Sequence, residues 1–117
     1  MTEKQRQIEE LKGDFKEIQP ALTVLGDESR QLILLVLMET DCKTGMRVGE
    51  ITEKTNLSRP AVSHQMKILK DLGIVKMRKE GTKNFYYIDV SHNRILFGKM
   101  GKMVMDLNHF MSTMEKQ

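Results

Sequence analysis

Between Ser58 and Tyr87 the chain concentrates side chains that can bind a polyanion and read what it carries. Arg59, Ser63, Lys67 and Lys70 recur at spacings of four, four and three, with His64 beside them, so they share one face of a helix. Arginine, serine and histidine suit the edges of nucleic-acid bases, and lysine suits phosphate. Arg78, Lys79 and Lys83 follow around Glu80-Gly81, a tight-turn signal. The stretch holds seven lysines and arginines against two carboxylates, in a chain whose net charge is only +3. The first thirty residues, by contrast, carry seven acidic and five basic side chains. A charge run is usually a solvated face, but this one coincides with two elements shaped to touch phosphate.

Those elements follow from local rules. Ser58 can accept from the open amides of a helix that starts at Arg59, and Pro60 is harmless in its first turn. Val62, Met66, Leu69 and Leu72 give that helix an inward stripe, and Gly73 closes it. A shorter helix, Val48 to Thr55, precedes it across the turn Asn56-Leu57-Ser58, with Val48 and Ile51 facing inward. Ile74 to Lys79 and Asn84 to Val90 read as the strands of a hairpin. The order is that of a winged helix-turn-helix, with the helix-turn-helix at 48–72 and the wing at 74–90. The fold class expected is mainly α with a small β-hairpin (α+β).

The flanks read as helices. Ile8, Leu11, Phe15 and Ile18 lie on one face of an N-terminal helix that Pro20 ends or redirects, and a short segment, Ala21 to Leu25, stops at Gly26. Asp27 caps a helix over roughly Glu28 to Glu39, whose Leu32, Ile33, Leu35, Val36 and Leu37 are expected in the core. Residues 40–45 read as a loop. From Asn93 to Glu115, Leu96, Met100, Met103, Leu107, Phe110 and Met114 form a seven-residue apolar repeat, the mark of a helix that packs along another. Residues 1–19 and 93–117 are therefore expected to be dimerisation helices, contacting a second copy through Ile8, Leu11, Phe15 and the repeat.

At 117 residues and 39% hydrophobic, the chain suits one modest domain spanning 1–117. Its single cysteine, Cys42, cannot build a disulfide framework, and no apolar run reaches the length of a membrane span. A cytoplasmic protein without membrane association is expected. No glycine-rich phosphate loop and no nucleophile beside a base point to an enzyme, and no cofactor is expected.

The segments Leu25-Gly26-Asp27-Glu28-Ser29-Arg30, Leu57 to Leu69 with its Ser-x-Pro-x-Val-Ser-His run, and Leu72-Gly73-Ile74-Val75 resemble the ArsR/SmtB family of bacterial winged-helix repressors. The wing Arg78-Lys79-Glu80-Gly81 followed by Tyr86-Tyr87 is similar too. The resemblance implies a homodimer paired through its first and last helices, which represses transcription until an inducer weakens its hold on double-stranded DNA. It also implies base contacts from Arg59, Ser63 and His64, with Lys67 and the wing on phosphate. A two-fold dimer calls for a roughly palindromic operator with half-sites on the order of 10 base pairs apart, or a multiple.

The chain departs from the family's metal sites. Where many relatives carry Cys-x-Cys, it has Arg47, Val48 and Gly49; where others carry Asp-x-His near the start of the last helix, it has Asp89 and Ser91, and Lys102 stands where a later histidine falls. Asp106 with His109, or Asp89 with His92, sits at one-face spacing and could ligate a metal, but solvated surface groups are the plainer account. The methionines at 100, 103, 111 and 114 lie on or beside the apolar stripe and are expected to serve as flexible core filling. Cys42 beside Lys43 is open to redox chemistry in principle. No inducer can be named from these residues. Two alternatives stand beside the repressor: a winged-helix module that binds only protein, and a metal-responsive repressor using Asp106 and His109.

Overall fold

The computed structural model describes residues 1–116. Six helices and one hairpin appear in the order α1 (Glu3–Glu17), α2 (Gln19–Leu25), α3 (Glu28–Leu37), α4 (Val48–Thr55), α5 (Arg59–Asp71), β1 (Val75–Glu80), β2 (Lys83–Ile88) and α6 (Val90–Glu115). They fall into two compact units, one of residues 23–93 and one of residues 1–22 with those from Arg94 onward.

In the unit of residues 23–93, α3 and α5 start where a side chain satisfies open amides. Asp27 Oδ2 accepts from Arg30 N at 3.0 Å and opens α3. Ser58 Oγ accepts from Ala61 N at 3.2 Å and opens α5, with Pro60 in its first turn. The turn between α4 and α5 closes through Asn56 at φ 59°, a left-handed conformation that asparagine tolerates. Gly73, at φ 76°, ends α5 and turns the chain into the wing.

The hairpin pairs Val75 with Ile88 through Glu80 with Lys83, so its turn is Gly81-Thr82, one residue later than the sequence signal placed it. Gly81 adopts φ 61°, which such a two-residue turn requires. Met46 adds a bridge on the other side of β2, exchanging bonds of 2.8 Å with Tyr86 in both directions.

Val24, Ile33, Leu37, Ile51, Val62, Met66, Leu69, Ile74 and Val75 make the core of this unit. Leu32 and Leu35 do not join it, contrary to expectation: Leu35 is 59% exposed. A helix with 3.6 residues per turn cannot aim five nearly consecutive apolar side chains at one side, and Ile33, Leu34, Val36 and Leu37 take the inner face. The last helix begins three residues before Asn93, because Asp89 Oδ1 accepts from His92 N at 3.1 Å and caps it. Asn93 itself is buried, donating to Ile74 O (2.9 Å) and Asp89 O (2.7 Å).

In the other unit, α1 opens on a reciprocal capping box: Thr2 Oγ1 accepts from Gln5 N at 3.1 Å, and Gln5 Oε1 accepts from Thr2 N at 2.8 Å. The break near Pro20 falls at Ile18, and Pro20 sits in the first turn of α2. Lys102 on α6 ties to α1 through Glu10 (3.2 Å) and Asp14 (3.1 Å) while also holding Asp106 (2.8 Å); Lys99 reaches Glu17 at 3.8 Å. Leu11, Leu96 and Met103 are already buried within the single chain, so these three are not open to a second copy as the sequence led us to expect. Met100, Leu107 and Phe110 are half-buried, whereas Ile8, Phe15 and Met114 are exposed, joined on α6 by Ile95, Val104, Met105 and Met111. The inner stripe of α6 thus serves its own chain, and the apolar flank left outside lies partly on residues that the heptad reading passed over.

Candidate nucleic-acid interface

The outer face of α5 carries the residues singled out above. Arg59, Ser63, His64, Lys67 and Lys70 are all exposed, while Val62, Met66 and Leu69 are buried beneath them. This division follows from helical period: the apolar stripe is held by α3 and α4, and what remains faces water. Ser58 is exposed as well, but its hydroxyl is engaged as the cap of α5.

Arg59 turns back rather than outward along α5. A Cβ placed on Gly49 would meet its Nη1 at 3.9 Å, so the guanidinium lies close to the start of α4. That position favours backbone phosphate over the base contact implied by the family resemblance. Arg59 lines a cleft of about 630 Å³ together with Arg47, Val48, Gly49, Glu50 and Glu53 of the α4 region and Thr82 and Asn84 of the wing.

The wing divides its charges between two tasks. Lys79 and Lys83 are exposed beside the turn, and neither makes an ion pair among the described residues. Arg78, expected with them, is instead a strut. Its Nη1 donates to Cys42 O at 2.5 Å, its Nη2 to Thr44 O at 3.1 Å and its Nε to Glu80 Oε1 at 3.0 Å, and the guanidinium lies 5.3 Å from the centre of the Phe85 ring. An arginine with three of its five donors so placed fastens the hairpin to the 40–45 loop. The loop is shaped to receive it: Asp41 Oδ1 accepts from Lys43 N (3.0 Å) and Thr44 N (2.9 Å), and the bond from Thr44 holds the Asp41 carboxyl below its ordinary range. Gly45, at φ 68°, passes so near β2 that an added Cβ would lie 2.9 Å from Phe85 Cβ.

The metal candidates have other work. Asp106 hydrogen-bonds Lys102, which holds its carboxyl below the ordinary range, while burial pushes the neighbouring Asp14 up. Asp89 caps α6 with one oxygen and pairs with Lys76 at 3.3 Å through the other, and the bond from the His92 amide lowers its pKa. Among the described residues no group of three or more His, Cys, Asp or Glu is gathered as a metal would need. Cys42 is exposed, and what the structure uses of it is its carbonyl oxygen.

Reading the sequence missed Arg47 and the Arg30–Gln65 link beneath α5. Arg47 carried a faint signal, a cation immediately before a helix with Glu50 three residues on. The link joins residues 35 apart, and no local pattern announces it.

Comparison with known proteins gives a consistent picture. The family described as bacterial regulatory protein, arsR family, matches residues 27–77. An uncharacterised HTH-type transcriptional regulator of Methanocaldococcus jannaschii is 48% identical over 63 residues, 54% of this chain and 67% of that one. The arsenical resistance operon repressor of Staphylococcus aureus is 35% identical over 75 residues, 64% and 68% of the two chains. Among solved structures, an ArsR-like transcriptional regulator from Rhodococcus sp. RHA1 superposes with a TM-score of 0.69 over 89% of this chain and 92% of that one; at 18% identity it speaks for the fold alone.

Proposed function

The chain belongs to the arsR family of bacterial regulatory proteins, and on that premise we propose that it is a homodimeric repressor that holds a near-palindromic DNA operator and releases it on a signal. It is a transcriptional regulator and not an enzyme, as its family and relatives are. In this reading α5 enters the major groove, Ser63 and His64 meet base edges, and Arg59, Lys67, Lys70, Lys79 and Lys83 meet phosphates. The carrying observation is the sorting of α5: Arg59, Ser63, His64, Lys67 and Lys70 are exposed, while Val62, Met66 and Leu69 on the opposite side are buried.

Dimer formation is supported by the exposed apolar side chains on α1 and α6, Ile8, Phe15, Val104, Met105 and Met111 among them. Action in the cytoplasm agrees with the observation that no helix among the described residues is long and apolar enough to cross a membrane. Because Lys102 occupies the Asp106 carboxylate, the releasing signal is assigned to something other than a metal held by Asp106 and His109. The test is binding to the DNA upstream of the protein's own gene across a salt series. Affinity should fall steeply as salt rises and exceed that for random duplex. Equal affinity for the two would remove the repressor reading.

A further inference from the structure

Arg47 belongs neither to the recognition helix nor to the wing, yet it lines the cleft between them, facing the same space as Arg59. We propose that this cleft seats one strand of the DNA backbone and that Arg47 neutralises a phosphate on it, an inference that rests on the DNA-binding reading above.

Three observations carry it. Arg47 is exposed, and among the described residues neither it nor Arg59 has a salt bridge or a side-chain hydrogen-bond partner. Two unpaired guanidinium groups on one cleft are donors without acceptors, and their planar forks suit phosphate oxygens. The cleft also has the right neighbours. Its walls are the start of α4, the start of α5 and the wing residues Thr82 and Asn84. A duplex that takes α5 into its major groove and the wing beside it carries its sugar-phosphate strand across the space between the two.

Glu50 and Glu53 line the cleft too, and they decide what it binds. Glu50 accepts from Arg47 N at 3.4 Å, which keeps its carboxylate at the start of α4. Two carboxylates against two guanidiniums leave no net charge to trap a small free anion. A duplex is different, since the helix and the wing already hold it, and the phosphate reaches Arg47 at a high effective concentration.

The experiment measures binding of Arg47→Ala and Arg47→Lys to the upstream DNA and to random duplex by fluorescence anisotropy across a salt series. Arg47→Ala is expected to weaken both DNAs by the same factor, roughly three- to tenfold, and to flatten the slope of log K against log salt by about 0.9. Arg47→Lys keeps the charge and should keep the slope. An unchanged slope in Arg47→Ala, with the natural protein binding normally, overturns the role of Arg47 and leaves the DNA-binding reading standing. Failure of the natural protein to bind either duplex removes both. A loss confined to the upstream DNA would make Arg47 a base reader and overturn the phosphate assignment. Heat released on titrating the DNA-free protein with inorganic phosphate, lost in Arg47→Ala, would show a free-anion site and overturn the strand assignment.

Discussion

Arg30 donates from Nη1 to Gln65 Oε1 across 3.0 Å, joining the first turn of α3 to the middle of α5. The same guanidinium donates from Nε to Thr23 O at 2.9 Å and lies 4.0 Å from Asp27, with its side chain only 17% exposed. Gln65 sits one residue from His64, so the bond fastens α5 to α3 beside that side chain. Gln65→Ala is expected to lower the preference for upstream over random DNA several-fold, with little change in melting temperature. Arg30→Ala leaves the part-buried Gln65 Oε1 without its donor and removes the bond to Thr23 O, and should cost about 1–3 kcal/mol in denaturant unfolding. A Gln65→Ala protein with full sequence preference would sever the link between this bond and the aim of the helix.

His64→Ala and Lys83→Ala separate reading from gripping. Removing His64 is expected to cost about 1–3 kcal/mol on the upstream DNA and little on random duplex. Removing Lys83 should weaken both alike and reduce the salt slope by about 0.9. Parallel losses for the two variants on both DNAs would show that the α5 face is not where sequence is read.

Much of this was legible from the chain alone, and the reasons are local. Helix starts were written in Asp27 and in Ser58 with Pro60, and the sorting of α5 was written in its 3.6-residue period. Arg78 was misplaced among the phosphate contacts because its partners are the backbone carbonyls of Cys42 and Thr44, and a carbonyl leaves no trace in sequence. Leu35 was misplaced because apolar composition says nothing about which side of a helix is free. Leu96 and Met103 illustrate a third limit: a heptad stripe announces a helical partner without saying whether that partner is the same chain or another.

Lys102 predicts a change in pH behaviour. Its bond holds Asp106 below the ordinary aspartate value of 3.8. A carboxylate lowered on folding lends stability that is present above its unfolded value and fades as pH drops toward the lowered one. In the natural protein that contribution therefore persists to about pH 4. Lys102→Met leaves Asp14 and Asp106 facing each other without the cation, so Asp106 loses the bond that lowers its pKa and Asp14, already raised by burial, is raised further. The melting temperature of the variant is expected to trail that of the natural protein most at pH 7, with the gap narrowing toward pH 5. A gap that widens over this interval would contradict the arrangement.

Gly45→Ala tests the seat of the wing. The substitution meets both a positive φ and a contact near 2.9 Å with Phe85 Cβ, so β2 or the loop has to move. A loss of about 1–3 kcal/mol is expected. Affinity for upstream and random DNA should drop together as Lys79 and Lys83 lose their fixed place. Arg78→Ala, which frees the same junction from the other side, should reproduce the binding defect. A wing-dependent affinity that survives both changes would mean the hairpin keeps its place without the loop.

The grip of Arg78 on Cys42 and Thr44 takes hold of main-chain oxygen, which every amino acid supplies. Positions 42 and 44 are therefore interchangeable where the wing is concerned, and Cys42→Ser should pass unnoticed in both folding and DNA affinity. Constraint in that loop gathers on its neighbours, Asp41 that shapes the turn and Gly45 that clears the way. Sequence drift among close relatives should accordingly be wide at position 42 and narrow at Asp41 and Gly45.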